Sequence, residues 1–151
     1  MLRHLNQHFQ YFWESGIFAT AIYGVLDAGR RTLRLSCAGH QPPLLVRESG
    51  EIGRVPVDAV APLLLMELGD VPSSDCVLRA GDRLLLYTDG ITDRESPDGT
   101  MYEEGRLTAA LGKVATRRPA EAIDALVEDL DTFAGGREPR DDQTLVLIGF
   151  S

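Results

Sequence analysis

The order of apolar segments in this 151-residue chain predicts an α+β layered fold, on three observations. Short β-type runs, rich in β-branched and aromatic residues, occupy much of residues 18–87. Apolar positions at helical spacing occupy residues 107–133, and one more β-type run closes the chain at 144–150. Strands gathered in one stretch and helices in another favour layered α+β packing over a βαβ winding.

Leu2, Leu5, Phe9 and Phe12, with Trp13 beside it, recur at spacings of three and four. They predict one apolar face of a helix over residues 1–14, ended by Ser15-Gly16. The run from Phe18 to Leu26 is almost continuously apolar and predicts a strand buried on both faces. Asp27-Ala28-Gly29-Arg30 has turn chemistry, and Thr32 to Cys37 alternates polar with apolar, so the two strands read as a hairpin. Gly39-His40-Gln41-Pro42-Pro43 breaks the pairing before a short strand, Leu44 to Val46, and Glu48-Ser49-Gly50-Glu51 is a further turn.

Residues 53–73 hold three prolines and no clear period, which predicts a loop region packed on the body. A short strand at Cys76 to Leu78, a turn at Ala80-Gly81-Asp82 and a central strand at Arg83 to Tyr87 follow. Leu107, Ala110, Leu111 and Val114 mark one helix. Ile123, Leu126, Val127, Leu130 and Phe133 mark a second, with Pro119 suited to its first turn and Gly135-Gly136 as its stop. The last strand runs from Thr144 to Phe150. No internal repeat or linker divides the chain, so one domain over residues 1–151 is expected.

Composition narrows the function. The net charge is −8, and it is uneven. Residues 1–57 carry six arginines against four acids, whereas residues 58–151 carry nine basic against nineteen acidic residues. An acidic part of this kind argues against nucleic-acid binding, which needs a basic face, and suits a solvated surface or a cation site. No apolar run approaches the roughly 18 residues of a membrane span, and the N-terminus has no apolar stretch of the signal-peptide kind. A cytoplasmic location is expected. Cys37 and Cys76 lie in strands without metal-ligand spacing and read as buried reduced thiols.

Two segments carry chemistry. In Tyr87-Thr88-Asp89-Gly90-Ile91-Thr92-Asp93 a carboxylate directly follows a buried strand, where its desolvation is costly without a partner or cation. Gly90 lets the backbone turn away at once. The plain alternative is an Asp-Gly turn. In Arg140-Asp141-Asp142-Gln143-Thr144 two adjacent carboxylates enter the last strand. A hard divalent ion such as Mg²⁺ or Mn²⁺ would relieve their repulsion; so would pairing with Arg137 and Arg140. Both acids end strands that could be sheet neighbours, and one shared cation would account for both. Such an arrangement hydrolyses phosphate esters.

Four segments in order, Phe18 to Asp27, Ala38 to Pro43, Gly81 to Asp93, and Asp141 to Thr144, resemble the SpoIIE-type branch of the PPM metal-dependent protein phosphatases. The resemblance implies a layered β-sandwich flanked by helices and hydrolysis of phosphoserine or phosphothreonine with Mn²⁺ or Mg²⁺. It implies a phosphorylated protein substrate of the anti-sigma-factor-antagonist type, in a bacterium, with neither nucleic acid nor membrane as partner. Asp89 and Asp141 match the family's metal-ligand aspartates, and Asp142 matches a position that orients a metal-bound water or its neighbour; Asp141 and Asp142 could exchange these roles, which makes Asp142 a metal candidate as well. Gly90 and His40 are candidates for shaping the site; the Pro42-Pro43 beside His40 favours a structural role for it.

The chain also departs from the family. No Gly-Gly-Asp segment, whose aspartate bridges the two metals of a complete domain, occurs here. The chain therefore resembles the C-terminal two-thirds of the domain, its N-terminal strands missing, and is expected to hold one ion or none. Ala61-Pro62-Leu63-Leu64-Leu65 stands where the family has a glycine-bearing Pro-Leu-Gly loop. Three roles follow as expectations: part of an active phosphatase, an inactive partner-binding regulatory module, or a homodimer formed through the uncovered sheet.

Overall fold

A computed structural model describes residues 1–13 and 15–151. Glu14, the last residue of the predicted first helix, lies outside the described residues. The elements in chain order are α1 (Leu2–His8), a 3₁₀ turn (Gln10–Phe12), β1 (Ala21–Asp27), β2 (Thr32–Ala38), β3 (Leu44–Val46), β4 (Ile52–Arg54), β5 (Ala59–Val60), β6 (Ser74–Val77), β7 (Arg83–Tyr87), α2 (Asp89–Thr92), α3 (Glu103–Val114), α4 (Pro119–Ala134) and β8 (Leu145–Gly149). Mixed sheets and helices make the fold α+β, as predicted. The chain forms two compact units: Met1–Pro42 with Val55–Leu78, and Pro43–Arg54 with Arg79–Ser151.

In the first unit α1 is shorter than the predicted helix. Only Leu2 and Asn6, one turn apart, are buried on it, while Phe9 and Tyr11 are exposed. Short helices depend on such tertiary contacts, and little burial holds this one beyond His8. β2 pairs with β1 on one side, and with β5 and β6 on the other. Its alternation is the predicted one: Leu33, Leu35 and Cys37 are buried and Arg34 is exposed. Cys37 and Cys76 are free buried thiols.

β1 differs from expectation. It was predicted to be buried on both faces, yet Val25 is 50% and Leu26 49% exposed. Among the described strands of its sheet it pairs with β2 alone, so it is an edge strand. An apolar run specifies a strand that tolerates burial; it does not supply the neighbour.

The predicted loop at 53–73 contains β5 and the end of β4, pieces too short to leave a period in sequence. Leu64 stands there with φ +68, in the left-handed region that glycine adopts freely. Asn6, fully buried on α1, holds it: the Leu64 N–H donates to Asn6 Oδ1 at 2.6 Å, and Asn6 Nδ2 donates to the Met66 carbonyl at 2.8 Å.

The second unit is built on an antiparallel sheet in the order β4-β3-β7-β8, with β7 central as predicted. Leu44, Val46, Leu85 and Tyr87 of the sheet meet Leu107 and Leu111 of α3 and Leu126 and Leu130 of α4 in one core. Burying each such leucine contributes about 1.5–3 kcal/mol. Both helices match their predicted positions. Pro119 opens α4, where its missing N–H costs nothing, and Gly135 closes it at φ +54. The Tyr87 hydroxyl donates to Glu104 at 2.5 Å, and Arg54 donates to the same carboxylate at 2.8 Å, tying β7, α3 and β4 together.

Candidate functional site

The last register pair of β7 and β8 is Tyr87↔Leu145. Beyond it the strands stay in contact through Thr88. Its N–H donates to the Thr144 carbonyl at 3.2 Å. Its hydroxyl donates to the Asp142 carbonyl at 3.0 Å and accepts the Thr144 N–H at 3.0 Å. A side chain here extends the ladder by one step where the backbones begin to part.

Asp89 then opens α2, a single turn that the sequence reading did not anticipate. The aspartate is exposed, and its Oδ1 accepts the N–H of Gly90 at 3.1 Å. Gly90 is buried against the other acidic segment. A Cβ added to it would lie 2.4 Å from the Asp142 carbonyl oxygen and 3.2 Å from that of Asp141. Only glycine allows this approach. The Gln143 amide donates to the Gly90 carbonyl at 3.0 Å, closing the contact from the far side. Asp141 Oδ1 accepts the Asp142 N–H at 2.7 Å. Segments 88–90 and 141–144 thus touch, backbone to backbone.

Electrostatics at this junction are unusual. Asp89, Asp141 and Asp142 are all exposed, and among the described residues none of them forms an ion pair. Arg137 and Arg140, the nearest cations in sequence, pair instead with Glu95. Pairing of Asp141 or Asp142 with these two arginines, one of the two expectations for that segment, is not found.

Carboxylate oxygens are the donors that Mg²⁺ and Mn²⁺ take, so the donor chemistry fits a hard divalent ion. The number of donors is small. Among the described residues no three His, Cys, Asp or Glu side chains gather closely enough to hold a metal ion. An ion at this junction would need water or further ligands to fill its shell.

His40 belongs to the first unit. Its Nδ1 lies 2.9 Å from the Gln41 carbonyl oxygen, and its own carbonyl accepts the Cys37 thiol at 2.8 Å. Burial pushes that thiol up, and the His40 carbonyl moderates the shift only in part. These contacts are those of a shaped turn. Thr88 and Gln143 fasten the junction although no motif in the sequence marks them. The available signal was their polarity at the two open ends of apolar strands.

A family model described as Stage II sporulation protein E (SpoIIE) matches residues 1–151. Phosphoserine phosphatase RsbP of Bacillus subtilis is 35% identical over 100 residues, 66% of this chain and 24% of RsbP. Protein IcfG of Synechocystis is 26% identical over 140 residues, 89% of this chain and 21% of IcfG. The chain thus spans about a quarter or less of the length of these curated relatives. The solved SiaA-PP2C domain of Pseudomonas aeruginosa superposes with a TM-score of 0.86 at 22% identity, covering 99% of this chain and 59% of that one.

Proposed function

The chain belongs to the SpoIIE family of PPM-type serine phosphatases, and on that premise we propose that Asp89 and Asp141 hold a divalent ion, Mn²⁺ or Mg²⁺, for hydrolysis of phosphoserine or phosphothreonine on a regulatory protein. The observation that carries the proposal is the contact of two acid-bearing backbones at Gly90, with no ion pair to Asp89, Asp141 or Asp142 among the described residues. Carboxylates borne on touching backbones and left without ion pairs would repel if they converged, and a cation is the direct remedy.

Each residue has a stated task in this proposal. Asp89 and Asp141 supply ligand oxygens, and Asp142 orients water beside the phosphoryl group. Gly90 permits the close approach, while Thr88 and Gln143 fix it. An ion so held supplies charge stabilisation to phosphoryl oxygens and lowers the pKa of water. The name of RsbP, a phosphoserine phosphatase, supports phosphoserine as the substrate class. A protein antagonist of an anti-sigma factor is the partner the family resemblance favours.

The test is hydrolysis of a phosphoserine protein with Mn²⁺ titrated in. Turnover that rises with Mn²⁺ and falls to background in Asp89→Asn supports the phosphatase; turnover indifferent to both overturns it. A second function, a partner-binding module without turnover, is favoured by the small donor set. Saturable binding of the phosphoprotein with no Mn²⁺-dependent release of phosphate would select it.

A further inference from the structure

We infer that Glu95 is a positioning residue for Asp141, an inference that rests on the metal role proposed for that aspartate. After α4 ends at Gly135-Gly136, the chain reaches Asp141 through a stretch with no regular structure, exposed at residues 138–140. Most of the contacts that fix this stretch come from one place, Arg94-Glu95-Ser96. Arg94, 6% exposed, donates from Nη2 to the Arg137 carbonyl, and its Nε has no hydrogen-bond partner among the described residues. Arg137 Nη1 donates to the Ser96 carbonyl at 2.8 Å and lies 3.1 Å from Glu95 Oε2. Arg140 Nη1 donates to Glu95 Oε1.

The gripping segment is itself rigid. The Arg94 carbonyl accepts the Tyr102 N–H at 2.8 Å, Glu95 bridges to Met101, and the Ser96 N–H donates to the Thr100 carbonyl at 2.9 Å. Gly135 packs so closely on Pro97 that an added Cβ would lie 2.7 Å from its Cγ. The side chain of Glu95 is only 15% exposed, which strengthens its hold on both guanidinium groups.

Glu95 therefore does two things. It anchors the loop that delivers Asp141, and it occupies the two arginines that would otherwise neutralise Asp141 and Asp142. Without its charge, Arg140, one residue from Asp141, is released to pair with the aspartates and compete with a divalent ion. A residue that only stabilises the fold would not have the second effect.

The experiment compares Mn²⁺ binding by calorimetry in the full chain and in E95Q, R140Q and the E95Q/R140Q double variant. Amide hydrogen exchange at Asp142, Gln143 and Thr144 is measured in the metal-free proteins. E95Q should weaken Mn²⁺ binding by up to about tenfold, the lower end of the range seen when a direct partner of a metal ligand is removed, because Glu95 acts through Arg140 rather than on Asp141 itself. Removing Arg140 as well should bring affinity back toward the original value, and exchange at 142–144 should quicken in E95Q while the β7–β8 ladder amides stay unchanged. Unaltered Mn²⁺ affinity in E95Q overturns the inference; a double variant as weak as E95Q overturns the occupation of the arginines, and unchanged exchange at 142–144 in E95Q overturns the anchoring. If the unaltered chain binds no Mn²⁺, the metal role of Asp141 fails, and the exchange measurement decides the anchoring by itself: unchanged exchange in E95Q overturns it too.

Discussion

The two ends of β7 carry the same residues in opposite order, Gly81-Asp82 before the strand and Asp89-Gly90 after it, and the two aspartates meet opposite fates. Asp82 is 1% exposed, and both of its oxygens are hydrogen-bonded. Oδ2 accepts Arg47 Nη1 at 2.7 Å and the Arg79 N–H at 2.9 Å, and Oδ1 accepts the Glu48 N–H at 3.2 Å. Asp89 is exposed, and among the described residues its carboxylate accepts only the N–H of its neighbour Gly90, at 3.1 Å. The glycines differ in the same sense. Gly81 turns at φ +86 beneath the Glu48 side chain, while Gly90 makes room for another backbone. A strand-terminal aspartate is structural when the fold consumes its charge and available for chemistry when the fold leaves that charge open.

Each way of breaking this contrast has an expected size. Asp82→Asn strips the charge from a buried, hydrogen-bonded carboxylate and leaves Arg47 without it. The loss should be about 3–5 kcal/mol of stability, read as a lower urea midpoint, with Mn²⁺ affinity per folded molecule unchanged. Gly90→Ala forces the Asp142 carbonyl away by an ångström or so. A misplacement of that order should lower turnover by about a hundredfold, while stability falls by about 1–3 kcal/mol. Thr88→Val keeps the shape and removes both hydroxyl bonds; about 1 kcal/mol of stability should go, with a fall in Mn²⁺ affinity that Asp82→Asn does not produce.

Acid is the mildest perturbation. Burial alone would raise the Asp82 carboxyl, but the Arg79 amide, the Arg47 guanidinium and the Glu48 amide more than reverse this, holding it below the ordinary carboxylate range. Its folded value is depressed, so its stabilisation is complete above the unfolded value of about 3.9 and drains as pH falls toward the folded one. Glu104 is held down in the same way: burial pushes it up, and the bonds from Arg54 and Tyr87 outweigh that. The urea midpoint should be insensitive to these two groups between pH 7 and pH 5, and should drop below about pH 4 more steeply in the unaltered chain than in Asp82→Asn.

What could be read in the sequence followed the physics of burial. Leu107, Ala110, Leu111 and Val114 announce α3 because a helix repeats its inner face, and Leu84-Leu85-Leu86 announces β7 because a central strand is covered on both sides. The same logic misjudged β1, whose apolar run says nothing about whether a second neighbour is present. The contact of segments 88–90 and 141–144 was inferable from two acids at the ends of possible sheet neighbours. The roles of Thr88, Gln143 and Glu95 were not. They depend on pairings across some fifty residues, such as Thr88 with Asp142 and Glu95 with Arg140, which leave no periodic trace.

The most direct measurement is stoichiometric Mn²⁺ binding to the unaltered chain, to Asp89→Asn and to Asp141→Asn, each first confirmed folded by its urea midpoint. Ligands to one ion predict a single site that either substitution weakens severely. A single site that survives one substitution at full affinity would contradict a shared ion.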